Sequence, residues 1–158
     1  MHIWLLTHSE ELKKANGTGQ LVHAHLPTLA SVIVWQRATP SETLQNLPLD
    51  NTLLIYPSAI EEASDAFSPE LDAHNAKHFI ILDGTWQQAR KIYNRSPYLH
   101  RFKTYEIRGE NSQYLRRRNQ QKSGLCTAES AIHLLRKQKR ILEATQLEEA
   151  FLAFNIER

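Results

Sequence analysis

The sequence predicts an α/β fold: a largely parallel sheet with helices on both faces. Three observations predict it. Short apolar, β-prone runs alternate along the chain with helix-start signals. The runs at 52–56 and 79–82 are apolar without alternation, as in strands buried on both faces. At Tyr56-Pro57-Ser58 and again at Asp83-Gly84-Thr85, a strand's end passes straight into a capping-box sequence, Ser58 with Glu61 and Thr85 with Gln88. In open α/β sheets ligands gather at that edge, because helix N–H groups point there unpaired.

In chain order, His2 to Leu6 is the first expected strand, and Thr7 or Ser9 caps a short helix after it. Asn16-Gly17-Thr18-Gly19 reads as a loop whose backbone N–H groups suit an anion, although it lacks the Gly-Lys-Ser/Thr ending of a phosphate loop. His23 and His25 would share a face in an extended segment, and two histidines alone make no metal set. Ser31 to Trp35 is the second strand by composition, and Pro40 and Pro48 punctuate a linker. Thr52 to Tyr56 is the third strand. Ser68-Pro69 marks a helix start with proline in its first turn.

Phe79 to Leu82 is the fourth strand, closed by the Asp83-Gly84 turn. Gly84 permits close approach of a ligand or another backbone, and Trp86 offers a flat face. The same residues also fit a plain helix cap, a tight turn and a core tryptophan. A basic helix with Arg90, Lys91 and Arg95 follows, and Pro97 closes it. Phe102 to Ile107 partly alternates and reads as a strand with one wetter face. The polar run 109–124, with Arg116-Arg117-Arg118, is loop-like. A helix is expected from about Leu125 to Leu142, with Lys137, Lys139 and Arg140 in its last turns. Thr145 with Glu148 should cap a final helix.

The 158 residues suit one domain, and 41% hydrophobic with 23% charged residues describes a globular chain. No apolar run reaches the ~20 residues that span a bilayer. The start lacks a basic leader, and Cys126 is the only cysteine, so a reducing cytoplasm is the expected setting. Charge is segregated. Residues 1–85 hold four Lys/Arg against ten Asp/Glu, residues 86–140 hold fourteen against three, and residues 141–158 hold one against four. Such a basic block is the electrostatic footprint of a polyanion partner, favoured here over the plainer reading of a solvated helical surface.

Asp83-x-Thr85-Trp86 followed by Gln88-Ala89-Arg90 resembles the DTW-domain family. Further blocks are similar to it in order: Leu6-Thr7-His8 with Glu11, Asn16-Gly17-Thr18-Gly19, Tyr56-Pro57-Ser58, Leu115-Arg116-Arg117, and Leu125-Cys126-Thr127-Ala128-Glu129. The resemblance implies one DTW domain over 1–158, related to SPOUT methyltransferases, with a deep trefoil knot that holds S-adenosylmethionine. It implies a tRNA-uridine aminocarboxypropyltransferase, which moves the 3-amino-3-carboxypropyl group of S-adenosylmethionine to the imide nitrogen of a uridine and releases methylthioadenosine. Many relatives carry an amino-terminal cysteine cluster. This chain has none, so no metal is expected.

On that resemblance Asp83 is the expected general base. Burial beside Trp86 would make it a stronger one. Tyr56, Pro57, Ser58, Gly84, Thr85, Trp86, Leu125, Cys126 and Thr127 are the expected cofactor residues, Cys126 packing there rather than acting as a nucleophile. Arg90, Lys91, Arg95, Arg116, Arg117 and Arg118 are the expected tRNA contacts, with Trp86 or Tyr114 to stack a flipped base. A methyltransferase using the same cofactor, or an RNA-binding module without catalysis, are the competing readings.

Overall fold

The computed structural model describes residues 1–12, 17–57, 69–113 and 125–156. Five strands, β1 (His2–Thr7), β2 (Ala30–Val34), β3 (Thr52–Ile55), β4 (His78–Asp83) and β5 (Lys103–Tyr105), form one sheet in the order β2-β1-β4-β3-β5. Every pairing is parallel. Each expected strand is present, within a residue or two at the ends. The chain lays β2 against one side of β1 and β3 across a gap on the other side, and β4 then fills that gap between β1 and β3.

Seven α-helices accompany the strands among the described residues: α1 (Ser9–Leu12), α2 (Thr18–His25), α3 (Glu42–Gln45), α4 (Pro69–Asn75), α5 (Trp86–Asn94), α6 (Thr127–Lys137) and α7 (Ile141–Ile156). Successive strand residues point to opposite faces, and the core divides accordingly. Ile3, Leu5, Leu53, Phe79 and Ile81 face Val22 of α2, Leu134 of α6 and Leu147 of α7. Leu6, Leu54, Ile80 and Leu82 face Leu44 of α3, Ile92 of α5 and Leu99. Burying each such side chain contributes ~1.5–3 kcal/mol, which is why a strand apolar on both faces belongs in the middle of this sheet.

Several expectations change. Residues 18 and 19 open α2 instead of extending a loop, and His23 and His25 lie in its last turn. There His23 Nδ1 sits 3.1 Å from the Ala30 carbonyl and His25 Nδ1 3.0 Å from that of Leu21. The helix expected through Leu142 stops at Lys137. Lys139 adopts φ 60°, and Arg140 N–H donates to the Leu135 carbonyl (2.8 Å), closing the end in a left-handed turn. Only Arg136 and Lys137 therefore occupy the last turn. Glycine, the usual signal for such a stop, is missing from 138–140. Thr145 accordingly lies inside α7, which begins at Ile141 and buries Ala144, Leu147, Phe151 and Asn155 along one face. The wetter strand spans Lys103–Tyr105 alone. The capping box at Ser58 and Glu61 lies outside the described residues. No helix among the described residues is long and apolar enough to cross a membrane.

Candidate active site

Asp83 ends the central strand, in register with Thr7 at the end of β1. Its side chain does not cap α5, as a plain strand-turn-helix junction would have it. The cap is Thr85, whose Oγ1 accepts the Gln88 N–H (3.2 Å) while Gln88 Oε1 accepts the Thr85 N–H (2.8 Å). The Asp83 carboxylate turns into the protein instead and is 6% exposed. Thr127 Oγ1 donates to its Oδ1 at 2.7 Å, and Thr7 Oγ1 donates to its Oδ2 at 3.2 Å. Hydroxyls from β1 and α6 thus fix one acid on β4.

A third element closes the arrangement. Thr18 Oγ1 accepts the Ala128 N–H (3.1 Å), joining the first turns of α2 and α6. Gly19, next along α2, lies directly against Asp83: a Cβ there would stand 2.6 Å from the carboxyl carbon. Thr7, Gly19 and Thr127 all meet this acid, and the Trp86 ring stacks on Tyr56. The sequence reads Thr7 as a helix cap and Thr18 and Gly19 as part of an anion-cradling loop, and sets none of them beside Asp83. The signal available was their place at a strand's carboxyl end and a helix's first turn.

Leu125, Cys126 and Thr127 enter α6 beside this acid. Glu129 organises the entry: its Oε1 accepts the Cys126 N–H (3.1 Å) and the Ser112 hydroxyl (2.6 Å), and its Oε2 accepts the Gln113 N–H (2.7 Å). Asn155 of α7 donates to the Gln113 carbonyl (2.6 Å). One carboxylate thereby ties residues 112–113 to residue 126. Cys126 is buried, and its thiol is pushed up to about 12, first by burial and then by the charge of Glu129. Such a thiol is protonated and inert at neutral pH.

Tyr56 and Pro57 follow β3, and Gly84, Thr85 and Trp86 join β4 to α5. Trp86 is 39% exposed, so it is no core residue. Tyr56 stacks on Trp86 (centroids 5.8 Å, 26°) and on Tyr93 (4.0 Å, 16°). Tyr93 in turn meets His100 at 4.3 Å. Burial, then Tyr93, raises the Tyr56 phenol's pKa, with Arg90 opposing, so the phenol is neutral at physiological pH. Arg90, Lys91 and Arg95 are all exposed. Ser58, Tyr114, Arg116, Arg117 and Arg118 lie outside the described residues. No group of three metal-ligating side chains occurs among the described residues.

An all-parallel open sheet with a buried, hydroxyl-held acid at its carboxyl edge, flanked by the amino termini of α5 and α6, defines an α/β protein of the class whose ligands gather at that edge. The DTW domain family matches residues 1–157, and the chain belongs to it. It is 31% identical over 142 residues to tRNA-uridine aminocarboxypropyltransferase 2 of Drosophila melanogaster, a match covering 84% of this chain. The matched part is 54% of that protein, so the chain spans about half the length of this relative. No solved structure matches significantly.

Proposed function

We propose that this protein transfers the 3-amino-3-carboxypropyl group of S-adenosylmethionine to the imide nitrogen of a tRNA uridine, releasing methylthioadenosine. The observation that supports it most is Asp83, an acid held at the ligand edge by two hydroxyls from other elements, in the motif that names the family. The relative's name supports tRNA as the substrate and this group as the one transferred.

The residues at this edge suit the donor. Its methionine end carries a carboxylate, which fits the positive amino-terminal ends of α5 after Thr85 and of α6 after Cys126. Tyr56, Pro57, Ser58, Gly84, Leu125, Cys126 and Thr127 complete the proposed set, Cys126 by packing. Bound S-adenosylmethionine supplies an activated carbon on a sulfonium leaving group. The protein's task is then orientation and one proton.

Asp83 takes the imide proton. The two threonine hydroxyls hold its carboxylate in a fixed orientation at the end of β4. The imide is a weaker acid than a carboxylic acid by several pK units, each ~1.4 kcal/mol, so the proton moves as the carbon–nitrogen bond forms. Arg90, Lys91 and Arg95, with Arg116, Arg117 and Arg118, hold the RNA backbone.

Asp83→Asn is the test. The amide keeps the shape but cannot accept the proton, so single-turnover transfer should fall by ~10²-fold or more while S-adenosylmethionine binding survives. Near-normal transfer by the folded variant would make Asp83 a structural residue and end this reading. Mass spectrometry of the RNA product identifies the transferred group and separates this activity from methylation.

A further inference from the structure

Trp86, Tyr56 and Tyr93 form a stack that begins three residues after Asp83, and the His100 ring meets Tyr93 at a tilt of 42°. We infer that this stack is a platform for an unpaired RNA base, which seats on the open face of Trp86 while Arg90 takes the adjoining phosphate. The inference rests on RNA being the substrate and adds where an unpaired nucleotide is held.

Three features carry it. Tyr56 covers one side of Trp86, and 39% of the tryptophan stays exposed, so the stack ends in an aromatic surface at the solvent boundary. Each ring is braced by the next: Tyr56 lies within 16° of Tyr93, whose carbonyl oxygen is 2.7 Å from His100 Nε2. A ring already fixed loses little freedom when a base arrives, which favours binding. Finally, Trp86, Arg90 and Tyr93 fall at i, i+4 and i+7 on α5 and so share one helix face. Arg90 is exposed and close enough to act on the Tyr56 phenol. Aromatic faces interleaved with guanidinium groups are the recognition chemistry of single-stranded nucleic acid, since every base has a π face and every linkage a phosphate. A stack serving only to join β3 to α5 has no need of an exposed terminal indole or of arginine on the same face.

The stacking partner is a nucleobase, and S-adenosylmethionine carries one too, so the test separates the two sources. Unstructured oligouridylate is titrated without cofactor into wild type, Trp86→Leu, Trp86→Phe and Arg90→Gln, with thermal melts of each. Trp86→Leu should weaken binding about ten-fold or more with an unchanged melting temperature, and Trp86→Phe should recover most of it. Arg90→Gln should flatten the slope of log affinity against log salt by ~0.7. Equal oligouridylate affinity in Trp86→Leu overturns the platform, whether or not transfer persists. An unchanged salt slope overturns the role of Arg90. In parallel, methylthioadenosine is titrated while indole fluorescence is read. Saturable quenching lost in Trp86→Leu, with displacement of the oligonucleotide, would give the platform to the cofactor and overturn its assignment to RNA. Trp86-dependent oligouridylate binding without any Asp83-dependent transfer would leave the platform standing and remove the transferase reading.

Discussion

Gly19→Ala tests the packing around the acid. The substitution adds one methyl in the first turn of α2, where alanine's helix propensity favours it by up to ~1 kcal/mol. Against this, the new Cβ would lie 2.6 Å from the Asp83 carboxyl carbon and 2.8 Å from Oδ1, inside the range real Cβ contacts allow. Asp83 cannot swing aside freely, because Oδ1 is bonded to Thr127 at 2.7 Å and Oδ2 to Thr7 at 3.2 Å. Hydrogen bonds to a charged group contribute ~1.5–3 kcal/mol each. The alternative, shifting α2, carries the ~1–3 kcal/mol cost of overpacking. After subtracting the propensity gain of ~1 kcal/mol from a cost of ~1.5–3 kcal/mol, a net loss of ~0.5–2 kcal/mol is expected. At ~2–4 °C per kcal/mol for a chain of this length, Tm falls by ~1–8 °C, measurable by calorimetry. The decisive comparison is a double-mutant cycle. In an Asp83→Ala background the overlap is gone, and Gly19→Ala should become neutral or stabilising. A wild-type Tm for the single Gly19→Ala variant, or equal effects in the two backgrounds, would refute the reasoning.

Three further predictions follow from other sites. Glu129→Gln leaves one acceptor oxygen where Cys126 N–H, Ser112 Oγ and Gln113 N–H now need two, so stability should drop by ~1–3 kcal/mol; an unaltered urea midpoint would count against the clamp. Cys126 should resist thiol reagents at pH 8 in the native protein and react at the rate of opening in denaturant, whereas fast native labelling would contradict its burial and its raised pKa. His2 and His78 have pKa values lowered from 6.5, chiefly by burial, and Trp4 Nε1–H donates to His78 Nδ1 (3.1 Å), a bond that protonation of that nitrogen would break. The unfolded chain therefore binds more protons, so their contribution to stability is complete above about pH 6.5 and is lost as pH falls below it. Urea midpoints at pH 7.5 and 5.0 should converge in a His2→Gln/His78→Gln variant, and an undiminished difference would place the acid sensitivity elsewhere.

The strands were legible because burial on both faces leaves an apolar run that nothing else in the chain produces, and β4 is the clearest example. The capping box at Thr85 was legible because its chemistry is local, three residues end to end. The partners of Asp83 were a different matter. Thr7 and Thr127 are separated from it by 76 and 44 positions, and no local pattern marks a hydroxyl that will meet a distant acid. Strand order was equally hidden, since periodicity says which segments are strands and not which are neighbours. The stop at Lys139 escaped because a left-handed turn was made without glycine. The ring stack joins residue 56 to residues 86, 93 and 100, a proximity that only the placement of β3 beside β4 creates.

The position of β4 has a kinetic consequence. Its neighbours β1 and β3 both precede it in the chain, and it pairs with β1 across 76 residues at every register position. Parallel pairing at such separation is slow, because loop closure comes before the contacts that reward it. During synthesis the first three strands emerge without the one that joins β1 to β3, leaving inner edges open to wrong partners. Even when β4 arrives, Asp83 lacks its shorter hydrogen bond until Thr127 follows. The hydroxyl-held acid is thus completed only once α6 has emerged, and truncation before residue 127 would also strip one sheet face of Leu134 and Leu147.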